Sequence, residues 1–99
     1  MAKFDVFRRR SGAGYLLDCQ ADLLSQLNTR FVVPLLPVEE SPKPADRLNP
    51  VFELEGKPHV MMTQFAAAVP ATELGEKTVS LSDRDIDIIN ALDMLISGF

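Results

Sequence analysis

The stretch Leu81-Ser82-Asp83-Arg84-Asp85-Ile86-Asp87-Ile88-Ile89-Asn90-Ala91-Leu92-Asp93-Met94-Leu95-Ile96-Ser97-Gly98-Phe99 decides the fold class, because it is the clearest helical pattern in the chain. Ser82 can cap a helix, and Asp85 three residues later makes a weak capping box. Asp83 and Asp85 suit the positive end of the helix dipole. Ile86, Ile89 and then Leu92 or Asp93 follow at steps of three and four, and Ile88, Leu92, Leu95 and Phe99 form an adjoining stripe. Gly98 stands where helices commonly stop. Such a helix is apolar over more than half its circumference. One sheet face cannot cover so wide a stripe, so part of it is expected to meet another chain.

Upstream the period changes to two. Lys3 to Arg8 alternates as a strand with Phe4 and Val6 on one face. Ser11, Gly12 and Gly14 supply turn chemistry, and Tyr15, Leu17 and Cys19 share a face of a second strand, which predicts a hairpin. Gln20 to Arg30 is ambiguous: Leu23, Leu24 and Leu27 have helical spacing in too short a segment. Phe31-Val32-Val33 reads as a strand whose Pro34 marks an edge or a bulge. Residues Pro37 to Pro50 carry Pro37, Pro42, Pro44 and Pro50 with several charges, and read as a long exposed loop. Val51 to Leu54 and His59 to Thr63 flank Glu55-Gly56, a tight hairpin turn. Val69 to Leu74 is expected to add a further strand, with Pro70 at an edge. The whole, residues 1–99, is read as one domain, mainly β with a C-terminal α-helix.

Composition narrows the function classes. With 99 residues there is room for one core. A hydrophobic content of 46% beside 24% charged residues argues against disorder. No apolar run approaches the roughly 20 residues that span a bilayer, and Lys3 and Asp5 near the start give no signal-peptide pattern. The single cysteine, Cys19, fits a reducing compartment, so a cytoplasmic protein without membrane association is expected. The formal charge of −4 and pI near 4.8 disfavour direct nucleic-acid binding and favour a basic protein partner. The basic residues cluster at Arg8, Arg9 and Arg10, which read as a solvated hairpin tip able to pair with acidic residues of a partner.

Nothing points to catalysis, a cofactor or a metal. His59, the only histidine, has no neighbouring motif to make it a general base. Cys19 has apolar neighbours and no adjacent cation to lower its pKa, so a buried structural thiol is expected. One Cys and one His make no recognised metal spacing, and no phosphate loop or nucleophile elbow occurs. The remaining candidate is the tail Ile96-Ser97-Gly98-Phe99. A terminal aromatic after a glycine either folds back on the last helical turn or leaves the domain as an anchor for a pocket, of the sort that contributes about 2–4 kcal/mol at an interface centre.

In order and spacing the residues resemble CcdB-type toxins, the gyrase-poisoning halves of bacterial toxin–antitoxin pairs. The resemblance rests on Phe4-Asp5-Val6, Tyr15, Asp18-Cys19-Gln20-Ala21-Asp22, Val32-Val33-Pro34-Leu35, Pro50-Val51, Met61-Met62-Thr63, Val69-Pro70, Leu81-Ser82, Asp87-Ile88, Asn90-Ala91 and Gly98 before a terminal apolar residue. It implies a small SH3-like antiparallel sheet or barrel, and a homodimer whose helices end near the two-fold axis. It also implies a toxin, not an enzyme, that binds the A subunit of DNA gyrase and traps its complex with cleaved DNA. The gyrase contact would fall on Asp93, Ile96, Ser97, Gly98 and Phe99. Ser97 replaces the tryptophan that the family pattern has before its terminal glycine, Asp93 replaces its asparagine, and Phe99 is larger than its aliphatic last residue. The antitoxin would wrap the toxin with a disordered segment, and its candidate contacts are Arg8, Arg9, Arg10, Glu39, Glu40, Asp46 and Arg47. Operator DNA would be reached only through the antitoxin. Two other readings are an mRNA-cleaving toxin of the same fold, using Arg30 with His59 or a nearby carboxylate, and an inactive homologue retained for repression or anti-addiction.

Overall fold

The computed structural model describes residues 2–98. Strands β1 (Asp5–Arg9), β2 (Tyr15–Asp18), β3 (Thr29–Pro37), β4 (Val51–Leu54), β5 (Lys57–Met61), β6 (Ala67–Pro70) and β7 (Leu74–Ser80) precede helix α1 (Asp85–Ser97). Every pairing is antiparallel, in the order β4-β5-β3-β2-β1-β7, with β6 also on β3. The mainly β reading with a C-terminal helix holds, in the form of an antiparallel half-barrel.

Strict alternation in the first three strands divides the interior in two. Val6, Leu17, Val33 and Leu35 face the larger core with Phe52, Leu54 and Met61, and α1 covers it through Ile88, Ala91 and the partly buried Leu92. Their neighbours Phe7, Leu16 and Val32 turn the other way and pack with Leu74 and Val69. Because side chains alternate along a strand, each of these apolar residues is committed to one core or the other. A slip of one register would exchange them.

Several boundaries differ from the expectation, each for a local reason. β1 starts at Asp5 because Phe4 has φ 72°, a left-handed backbone no strand accommodates. That turn is closed by Asp5, whose carboxylate accepts the Ala2 N–H at 2.9 Å. Pro34 lies inside the sheet, not at an edge: β3 pairs with β6 over Thr29–Val32 and with β5 over Leu35–Pro37. Pro34 stands at the handover, where its carbonyl takes the Met62 N–H at 2.9 Å, so the N–H it lacks removes no rung from either ladder. The single strand expected over Val69 to Leu74 is two, because a 3-10 turn at Ala71–Glu73 ends β6 and starts β7. Gln20 to Arg30 forms a 3-10 turn at Asp22–Leu24 and, from Thr29, the start of β3. The expected loop shortens, since β3 runs to Pro37 and Val38–Glu40 is a 3-10 turn. The Glu55-Gly56 turn is as expected, with φ positive at both residues (52° and 80°) and Leu54 paired to Lys57, but its second strand is Lys57–Met61 where His59 to Thr63 was expected.

Candidate functional site

Helix α1 begins later than the capping pattern suggested. Ser82–Arg84 is a 3-10 turn, and Arg84 occupies the cap position without a side-chain cap bond. Ser82 lies in that turn, where its N–H donates to the Ser80 hydroxyl and its own hydroxyl accepts from it. Asp85 and Asp87 supply the negative charge of the first turn instead. The helix ends as expected: Gly98 has φ 78°, and its N–H bonds the Met94 carbonyl at 3.0 Å.

Residues of an α-helix are turned by about 100° from one to the next. That rotation places Ile88, Ala91, Leu92 and Leu95 on the face towards the sheet, and Ile88 and Ala91 are buried there. It places Ile86, Ile89, Asp93, Ile96 and Ser97 on a second face that the sheet leaves open. Ile86 is 70% and Ile96 is 77% exposed. Leu95 points inward yet is 44% exposed, so the last turn extends past the core. The candidates Asp93, Ile96, Ser97 and Gly98 are therefore brought together at one exposed helix end; Phe99 lies outside the described residues.

A second exposed apolar group was not singled out from the sequence. Leu23 is 91% exposed, with Leu24 and Leu27 each about half exposed. A buried polar network fixes this turn. Gln20 accepts the Phe31 N–H and donates to the Leu24 carbonyl, each at 2.9 Å. Asp18 accepts the Gln20 N–H and pairs with Arg30, both side chains being fully buried. The signal was present as leucines with no strand or helix long enough to hide them.

The antitoxin candidates sit in two separate places. Arg8 pairs with Glu55 at 2.6 Å and Glu76 at 3.7 Å, with its guanidinium over the Tyr15 ring. Arg10 donates to the Thr72 carbonyl at 2.8 Å. Arg9 is exposed with no ion pair among the described residues. The tip is thus partly tied to its own sheet instead of wholly solvated. Glu39 and Glu40 lie exposed on the 3-10 turn after β3, and Asp46 and Arg47 lie exposed on a turn before β4.

The groups that nucleic-acid cleavage would need are internal. His59 is buried, with Nδ1 2.9 Å from the Lys57 carbonyl and its ring edge-on to Tyr15. Arg30 is sealed in its pair with Asp18, so the pairing of Arg30 with His59 considered for an mRNA-cleaving toxin has no access to substrate. Burial pushes the Cys19 thiol up to about 12, as expected of a structural cysteine. Among the described residues no group of three His, Cys, Asp or Glu could hold a metal ion. No described helix is long and apolar enough to cross a membrane.

The family model described as CcdB protein matches residues 3–98. The chain belongs to the CcdB family. As a CcdB protein it is a gyrase-poisoning toxin of a toxin–antitoxin system, not an enzyme. Its family implies gyrase and an antitoxin as partners, and CcdB toxins act in the cytoplasm. The match accounts for a fold whose chemistry-bearing side chains are buried while its apolar helix end is not.

Proposed function

We propose that the protein acts in the cytoplasm as a homodimer and poisons gyrase by inserting the end of α1 against the A subunit, trapping the enzyme on cleaved DNA. Asp93, Ile96, Ser97, Gly98 and Phe99 carry the contact. The observation that supports this reading most is the 77% exposure of Ile96 at a helix end that runs past the core. An aliphatic side chain left in water gains on the order of 1.5–3 kcal/mol when a partner buries it. With Ser97 in place of an aromatic, Ile96 and Phe99 supply the apolar part of the contact.

Dimerisation is supported by the open face of α1, which carries Ile86 and Ile89. The antitoxin contacts Arg8, Arg9, Arg10, Glu39, Glu40, Asp46 and Arg47, and the acidic toxin reaches operator DNA only through it. Affinity for the purified gyrase A subunit tests the reading. Ile96→Lys is expected to weaken it by at least about thirtyfold, or 2 kcal/mol, while Arg9→Glu leaves it unchanged. Equal affinity for Ile96→Lys and the parent would remove the helix end from the contact.

A further inference from the structure

We infer that the cleft between the turn before β4 and the flank of α1 is a carboxylate notch, which takes an acidic side chain from the antitoxin segment that neutralises the toxin. The identity of the occupant rests on the antitoxin reading given above; the chemistry of the notch does not. The cleft has a volume of about 330 Å³ and is lined by Arg47, Pro50, Val51, Arg84, Asp87 and Asn90. Three parts of the chain thus converge on it: the turn, the first residue of edge strand β4, and the side of α1.

The backbone of Arg47 and the guanidinium of Arg84 are positioned from within the protein. Arg47 has φ 67°, a left-handed backbone that a non-glycine residue adopts at a cost. The turn that imposes it is clamped by buried Asn49. That side chain accepts the Ala45 N–H at 3.1 Å and donates to the Met61 carbonyl at 3.0 Å and to Gln64 at 2.8 Å. The Asn49 N–H also bonds the Ala45 carbonyl at 2.9 Å, and the Thr63 hydroxyl donates to the Leu48 carbonyl. Arg84 lies over the Phe52 ring at 4.7 Å, and its Nε and Nη2 both reach one oxygen of Asp87 at 2.9 Å.

The charges select the ligand. Asp87 balances Arg84, and Arg47 has no carboxylate partner among the described residues, so the lining carries one net positive charge. A single carboxylate balances that charge, whereas a phosphate dianion would bring an excess. Asn90 adds an amide donor beside the arginines, and Pro50 with Val51 offers apolar surface to the methylene stem of a glutamate. The Arg84 guanidinium, already held in place, loses little freedom on pairing with a carboxylate, and Arg47 supplies the unbalanced charge.

The test is a nuclear magnetic resonance titration of the full chain with N-acetylglutamate N-methylamide, its glutamine counterpart, and inorganic phosphate. Saturable shifts are expected at Arg84 Nε–H, the Asn90 side-chain amide and the Arg47 backbone with the glutamate compound alone. Arg47→Gln should lower that affinity at least about tenfold with the remaining spectrum intact. An equal response to the glutamine compound, a stronger one to phosphate, or an unaltered affinity in Arg47→Gln would each overturn the notch. This titration uses neither gyrase nor antitoxin, so it stands apart from the gyrase reading. The occupant is tested separately: Arg47→Gln is expected to weaken the antitoxin complex by a similar factor. Unchanged antitoxin affinity beside a positive titration would overturn the antitoxin as the source of the carboxylate.

Discussion

The core between sheet and helix and the leucine and isoleucine side chains outside it are built from the same residue types, and they serve opposite ends. Leu17, Leu35, Leu54 and Ile88 are sealed, each completing a surface offered by another strand or by α1. Leu23, Leu24, Ile86 and Ile96 are turned into water by elements equally well fixed, a turn held by Gln20 in one case and a capped helix in the other. Rigid presentation without burial means that the surface is available for a partner at little ordering cost. The first region makes the fold, and the second has no folding role that the structure reveals.

That contrast can be broken most severely where both members of an ion pair lie inside. Arg30 and Asp18 are both fully buried, and Nε and Nη1 of Arg30 have no hydrogen-bond partner among the described residues. Arg30→Met leaves Asp18 uncompensated and is expected to cost about 3–5 kcal/mol in urea denaturation, whereas replacing both partners by apolar residues should recover most of it. A single substitution no worse than the double would show that the pair is not insulated from water.

Leu17→Ala, at the centre of the larger core, is expected to cost about 3 kcal/mol, and toxicity should fall only as the folded fraction falls. The pH dependence sharpens the same point with a smaller effect. The Cys19 thiol stays protonated up to about 12 in the fold against an ordinary value of 9.0, so the unfolded chain deprotonates first. The thiol's contribution to stability is therefore constant below about pH 9 and declines as pH rises from 9 towards 12. Tyr15, pushed above its ordinary 10.0 chiefly by its hydrogen bond to Glu55, acts in the same direction. Melting temperature against pH should show this slope, and Cys19→Ala should flatten it; an identical slope in that variant would mean the thiol is not sealed. The smallest effect is expected outside: Leu23→Ser and Ile96→Ser should each shift stability by less than about 0.5 kcal/mol. A loss several times larger would place these side chains in the folding core after all.

Much of this division was legible in the sequence. Alternation in Val6, Tyr15, Leu17 and Cys19 announced the first hairpin, Glu55-Gly56 the second, and the surplus of isoleucine in 86–96 announced a helix face the sheet could not cover. What escaped was set by long-range pairing. Nothing local says that Pro34 sits where one strand changes partner, or that Phe4 takes a left-handed backbone to join Asp18 and Leu81. Gln20 to Arg30 could not be resolved because its order comes from a network of Asp18, Gln20 and Arg30 that only the folded sheet assembles. The candidate site was readable as far as the helix end. The cleft at Arg47 and Arg84 was not, since its two arginines are far apart in the chain and meet only through the clamp of Asn49 and the stacking on Phe52.

The measurement closest to the central claim is DNA cleavage by purified gyrase with ATP and supercoiled plasmid, comparing the full chain with one ending at Ser97. The account predicts linear, gyrase-linked DNA with the full chain alone, and the same melting temperature for both proteins within a few degrees. Equal cleavage by the shortened chain, or none by a folded full-length sample, would contradict it.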